Sequence, residues 1–292
     1  MHTFYFSKKL YTFIFGTWRS ALYDISSLFQ CKKMPRAGLE PIDIVIPIID
    51  KDLDVLPLTL EGLRKNCNNT IDNIYLVAPS HSKIIEFANQ NNLVFVDENK
   101  VLGYSVKDVD YIDRFGTNKS GWIFQQLLKL SGNVGHNRYY VTLDADHVLL
   151  KPHTFVTDKG ESVFYVSKEY YYPYYVTQKA LIGYFPFQHF SYIAHKMVFD
   201  KEQIRKIHQL LENGKENTWD QVIIETLKKM PIGSFSEFEL YGNLYPFENK
   251  IRILWRQKEL SKSSNVYSLK DLTKQYDRFL SITFPDYRKI EK

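Results

Sequence analysis

Two carboxylates end an apolar run in this sequence. Tyr139-Tyr140-Val141-Thr142-Leu143 stops at Asp144-Ala145-Asp146, and Val148-Leu149 follow. The run reads as a β-strand, so its end is rigid and presents two hard oxygen donors in a fixed place. Such a pair suits Mg2+ or Mn2+ and leaves coordination positions for water and a diphosphate. Asp-x-Asp triplets also occur at Asp52-Leu53-Asp54 and Asp108-Val109-Asp110, but neither directly ends an apolar strand. The competing account of Asp144 and Asp146 is a pair of turn or capping aspartates.

A cation at a strand edge is fitted to stabilise the departure of a nucleoside diphosphate. If the displacement inverts, a carboxylate must also take the proton of the attacking hydroxyl. Glu237 and Glu239 are the catalytic candidates, with Glu239 preferred as base: in a strand, positions i and i+2 share a face, whereas in a helix they would diverge. Gly242 follows closely, and a glycine there permits a sharp turn that aims Tyr241 and Asn243 at an acceptor. His195 could complete a metal shell or contact a sugar hydroxyl, and a core-edge histidine is the plainer account. Trp219 could stack on sugar beside Asp220, although capping and packing explain both residues as well.

Alternating elements would carry these residues. Strands are expected at Ile42–Pro47, Asn73–Ala78, Leu93–Val96 and Tyr139–Leu143, with helices at Leu56–Lys65, Lys83–Asn91 and Gly121–Leu130. That order argues for an α/β fold, a mostly parallel sheet covered by helices on both faces, with ligands outside the carboxyl ends of the strands. Beyond Lys151, helices are expected at Lys201–Glu212 and Trp219–Lys229, and strand and loop from Ile232 to Trp255.

Residues 1–35 read as an amphipathic helical appendage flanked by Lys8-Lys9 and Lys32-Lys33. It is too short in uninterrupted apolar run to span a bilayer, so it either lies in the membrane interface as a peripheral contact or docks on protein. Residues 36–258 form the catalytic domain, and 259–292 a charged helical tail. The net charge of +5 is spread along the chain, which excludes the concentrated basic stripe of a nucleic-acid binder. Cys31 and Cys67 form no metal or disulfide pattern, so a reducing, cytoplasmic location is expected, on the cytoplasmic face of the membrane if the appendage binds it. The 21 Tyr and 20 Phe include the cluster Glu169–Tyr175, which would serve either packing or a carbohydrate-stacking wall.

The strand-plus-Asp-x-Asp stretch resembles the signature of glycosyltransferases with the GT-A fold. Together with Gly121–Leu130, Ala194–Phe199 and Ser236–Asn243, it resembles a bacterial family of capsule and lipopolysaccharide glycosyltransferases, over about Ile42 to Trp255. The resemblance implies a GT-A-like, Rossmann-like fold and a divalent metal on Asp146. Asp144 would contact the donor ribose or the metal, and Pro47 with Asp50-Lys51-Asp52 would lie against the nucleotide. Gln126 and Lys129, three apart on one helix face, could point at the donor. The implied reaction moves a sugar from a nucleotide sugar to a glycan or glycolipid hydroxyl in surface-polysaccharide synthesis.

Two other readings stand beside it. A sugar nucleotidyltransferase would call for an early glycine-rich phosphate loop, and Ile46-Pro47-Ile48-Ile49-Asp50 has no glycine. A non-catalytic carbohydrate- or membrane-binding protein could keep the same fold.

Overall fold

The structure, a computed structural model, describes residues 16–28, 33–113, 115–186, 188–230, 232–254, 258–259 and 268–284. Its centre is a five-stranded sheet. The strands are β1 (Ile42–Pro47), β2 (Ile71–Ala78), β3 (Val94–Asp97), β4 (Tyr139–Leu143) and β7 (Lys196–Asp200), in the order β3-β2-β1-β4-β7. β1 pairs in parallel with β2 and β4, β2 in parallel with β3, and only β7 runs antiparallel, against β4. β1 and β4 are buried along their whole length, as their unbroken apolar runs require of strands covered on both faces.

The period of two sorts these strands between two cores. Ile44 and Ile46 pack on one side with Leu56, Leu60 and Leu63 of α2 (Leu56–Asn66) and Ile84 of α3 (Ser82–Gln90). Val45 and Tyr140 pack on the other with Ile123 and Leu127 of α6 (Ser120–Leu130), Ile204 of α8 (Lys201–Glu212) and Ile223 of α9 (Trp219–Lys229). This is the mixed, mostly parallel sheet with helices on both faces that the GT-A resemblance implies. Between β3 and α6 lie two short helices, α4 (Glu98–Leu102) and α5 (Val106–Val109), followed by an irregular stretch.

Three expectations are corrected. Strand and loop were expected from Ile232 to Trp255, but Glu237–Leu244 is a helix, α10, in which Ser236 Oγ caps the Glu239 amide. Gly242 makes no sharp turn there; a Cβ on it would stand 2.3 Å from the Tyr192 ring, so glycine permits close packing. The described part of the tail is no separate appendage. Residues Ser281–Thr283 (β10) pair with His147–Leu149 (β5), and Leu269 and Leu272 of α11 (Leu269–Gln275) join Ile282 and Phe284 in a third core.

Residues 16–28 are helical (α1) and dock on the domain. Arg19 and Tyr23 are buried: Tyr23 Oη donates to Val166 O at 2.7 Å, and Arg19 donates to Phe190 O at 2.6 Å while covering the Tyr170 ring. Ile25 and Leu28 are on the exposed side. No helix among the described residues is long and apolar enough to cross a membrane. The flanking lysines Lys8, Lys9 and Lys32 lie outside the described residues.

Candidate active site

β4 delivers Asp144 to the carboxyl edge of the sheet, and the chain turns at once, His147 N donating to Asp144 O at 3.0 Å. Asp144 and Asp146 line a cavity of about 680 Å3 together with Pro47, Lys51, Asp52 and His195. Its remaining wall includes Ile48, Val77, Phe124 and Leu128, apolar faces suited to a nucleobase, so the cleft combines an apolar wall with a carboxylate pair. Trp122 and Gln125, on the opening turns of α6, also face it. Neither was singled out in the sequence, where attention fell on Gln126 and Lys129 of the same helix.

Asp144 is fully engaged. Its Oδ1 accepts from Lys129 Nζ at 2.6 Å and its Oδ2 from His195 Nδ1 at 2.9 Å. Burial alone would raise the Asp144 carboxyl, but Lys129 and the His195 hydrogen bond outweigh it and hold the group below the usual range. Lys129 is itself buried and reaches Glu237 Oε1 at 3.2 Å. Burial opposes its charge, yet the two carboxylates raise its pKa. Lys129 therefore does not point at the donor; it is a fixed cation behind Asp144.

Asp146 differs. Burial, then the neighbouring charge of Asp144, push its carboxyl up to about 6, and among the described residues no lysine pairs with it as Lys129 pairs with Asp144. His195 stands at φ 58°, a left-handed conformation uncommon for a residue with a Cβ and often found at functional sites. Nδ1 faces Asp144, and the buried Nε2 has no hydrogen-bond partner among the described residues. An under-compensated carboxylate and an orphaned imidazole nitrogen fit a divalent cation. Asp144, Asp146 and His195 do not together meet the spacing of a ready-made cluster. The arrangement suits an ion shared with a diphosphate, which is how Mg2+ sites with one or two carboxylates work.

Among the described residues, one trio has that spacing: Asp43, Asp72 and His136. It lies at the opposite edge of the sheet, by the start of β1. Asp43 Oδ2 accepts from the amides of His136 and Asn137, both at 2.9 Å, so the aspartate ties the loop before β4 to β1.

Several other expected residues are placed elsewhere. Asp50 pairs with His81 at 3.0 Å on the surface and does not line the cleft. Gln126 Oε1 accepts from the Glu237 amide at 3.2 Å and so caps α10. The helix separates Glu237 from Glu239, against the shared face expected of a strand. Glu237 goes to Lys129, whereas Glu239 accepts from Ser191 Oγ at 2.5 Å, Tyr175 Oη at 3.0 Å, the Tyr192 amide at 3.2 Å and Asn243 Nδ2 at 3.2 Å. Neither lines the cleft, and a carboxylate with four donors is not poised to take a proton. Tyr241 Oη accepts from Asp200 N at 2.7 Å, and Asn243 also donates to Gln178. Trp219 stacks on His208 with centroids 4.1 Å apart, and Asp220 accepts from Thr218 Oγ1; neither lines the cleft.

Residues 40–276 match the protein family DUF6492, described as a family of unknown function. The chain belongs to this family. No curated protein matches its sequence. The DUF6492 chain is similar to the solved structure of mouse xyloside xylosyltransferase 1, at 13% identity and a TM-score of 0.49, over 84% of this chain and 98% of that one. It is similar to galactosyltransferase LgtC crystallised with donor and acceptor sugar analogs, at 13% identity and a TM-score of 0.38, over 84% and 87%. It is also similar to glucosyl-3-phosphoglycerate synthase from Mycobacterium tuberculosis crystallised with Mn2+ and UDP, at 10% identity and a TM-score of 0.34, over 74% and 70%. What the DUF6492 chain can do is read from its own site.

Proposed function

We propose that this protein is a glycosyltransferase that moves a sugar from a nucleoside-diphosphate sugar to the hydroxyl of a glycan or glycolipid, with a divalent cation, Mn2+ or Mg2+, on Asp146. One observation carries the reading: Asp144 and Asp146 share a cleft of about 680 Å3 with Pro47, Lys51 and Asp52 at the carboxyl ends of β4 and β1, the edge where α/β sheets bind nucleotides. The sequence resemblance supports the same reading, and the role in surface-polysaccharide synthesis and the cytoplasmic location rest on the sequence alone.

In the transfer, the bond between the sugar's anomeric carbon and the diphosphate oxygen breaks. A bond from that carbon to the acceptor oxygen forms, and the acceptor's proton passes to an oxygen of the departing diphosphate or to water. A bound cation would stabilise the charge that develops on the departing diphosphate. Asp146 and Nε2 of His195 would hold it. Lys129 fixes the Asp144 carboxylate, and Asp144 in turn fixes the imidazole so that Nε2 carries the free lone pair. Lys51, exposed at the mouth, adds a positive charge beside the diphosphate.

The test is titration calorimetry of UDP, GDP, ADP, CDP and dTDP with and without Mn2+, followed by a screen of the matching nucleotide sugars for hydrolysis. Binding of at least one nucleotide that strengthens with Mn2+ and fails in Asp146→Asn is expected. Binding by none of them, with a folded protein, would remove the transferase reading.

A further inference from the structure

A second cavity, of about 300 Å3, opens beside the donor cleft, and Trp122 lines both. Its size falls at the lower end of small-molecule sites, about 300–1,000 Å3. The walls are aromatic. Trp122 stacks on Tyr174 with centroids 6.0 Å apart and planes 26° from parallel, and Tyr171 meets Tyr174 edge-on at 4.9 Å. Phe115, 74% exposed, and Tyr171, 44% exposed, also line it. Rings this open to water do not serve as core filling, and grouped exposed apolar faces mark binding surfaces.

The frame that carries these rings is held firmly. Tyr111 Oη donates to Gly233 O at 2.8 Å and so fixes the floor. The Asp113 carboxylate accepts from the amides of Phe115 and Thr117, both at 2.9 Å, and so shapes the loop that bears Phe115. Asp113 and Lys119 bring opposite charges to the same cavity.

Flat aromatic faces beside hydrogen-bonding charges suit a pyranose, whose C–H face stacks on a ring while its hydroxyls bond to carboxylate and ammonium. We infer that this cavity is the acceptor subsite and takes a pyranose residue of a glycan, stacked on Tyr171 and Phe115. The inference rests on the transferase reading, because the shared Trp122 wall places that pyranose next to the donor cleft.

The experiment is saturation-transfer NMR on the full chain with the methyl glycosides of glucose, galactose, mannose and N-acetylglucosamine, alongside nucleotide titration with Mn2+. At least one glycoside should show contact through its ring protons. The double variant Phe115→Ala, Tyr171→Ala should lose about tenfold in that affinity, the scale for removing two stacking rings, while nucleotide binding stays unchanged. No glycoside contact, or contact that survives undiminished in the double variant, overturns the inference when nucleotide still binds. Failure of every nucleotide to bind the unaltered chain would sink the transferase reading, and with it the acceptor role, even if a glycoside stacks on these rings.

Discussion

Lys129 reaches Asp144 at 2.6 Å from inside the protein, and the same ammonium touches Glu237 at 3.2 Å. The carboxylate at the edge of the cleft is thus held by a buried cation that does not line the cleft. Such a three-member set is costly to break from one side, because the members left behind stay buried and unbalanced.

Lys129→Met should destabilise the chain by about 3–5 kcal/mol, the scale for removing one partner of a buried ion pair. Glu237→Gln leaves Lys129 paired with Asp144 and should be milder, with a loss of ~10–100-fold in Mn2+ affinity, as for a residue behind a metal ligand. Chemical denaturation and Mn2+ titration read the two effects separately. If Glu237→Gln binds Mn2+ normally, the set is structural only.

Asp146→Asn should abolish the effect of Mn2+ on nucleotide binding with the melting temperature maintained, since the side chain accepts no lysine and anchors no core. Asp144→Asn should lower the melting temperature as well, because it leaves Lys129 facing a neutral amide. A folded Asp146→Asn protein with normal Mn2+ dependence would refute the cation assignment.

Glu239→Gln should act on stability. Its carboxylate accepts from four donors, and replacing one oxygen by an NH2 group sets donor against donor, at about 1–3 kcal/mol. Gly242→Ala should be as damaging, since the added methyl runs into the Tyr192 ring. In both variants nucleotide affinity measured below the melting transition should match that of the unaltered chain. A loss of turnover in Glu239→Gln without loss of stability would restore it as the base.

A chain beginning at Pro35 should fold less stably, because α1 docks on the domain. Arg19 donates to Phe190 O and lies over Tyr170 and Tyr175, and Tyr175 in turn donates to Glu239. Removing α1 uncovers this set, with a cost of roughly 1–3 kcal/mol for each buried polar group left without its partner. An unchanged denaturation midpoint would show that α1 contributes nothing.

Stability should fall at both ends of the pH scale. His153 is buried, its Nδ1 bonded to Lys151 O and its Nε2 without a partner, and burial holds its pKa well below 6.5. Below about pH 6.5 the unfolded chain takes up a proton that the folded one refuses, so stability drops as pH falls. Burial raises Tyr165, Tyr175 and Tyr241 well above 10; the unfolded chain loses those protons first, and stability drops as pH rises beyond about 10. His153→Phe should make the acid limb shallower in a pH series of melting temperatures, with the buried His147, also held well below 6.5, sustaining the rest, and leave the alkaline limb in place.

The strands and the carboxylates at the sheet edge were legible because they obey local rules. β1 and β4 are unbroken apolar runs, and a strand that ends in Asp144-x-Asp146 can put those carboxylates only at the sheet edge. α10 escaped although its signal was present: Ser236 stands three residues before Glu239, the pattern of an N-cap ahead of the apolar Phe238–Leu244. Reading Glu237 and Glu239 as strand neighbours followed from missing that cap. Lys129 as the partner of Asp144, and Trp122 as the wall between two cavities, depend on how α6 lies against β4, a tertiary relation that no local spacing reports. The role of residues 268–284 was hidden for the same reason, since β10 meets β5 across more than a hundred residues of chain.

The Phe284 amide donates to Asp146 O at 3.0 Å, so the turn that carries the Asp146 carboxylate is braced by the residue that follows the last described strand. During synthesis the central sheet can assemble while that strand is still inside the ribosome, but the Asp146 turn gains its brace only after residue 284 has emerged. A nascent chain whose central sheet has already formed therefore still lacks this brace, and the carboxylate edge of the cleft is completed only by a segment more than a hundred residues downstream of it.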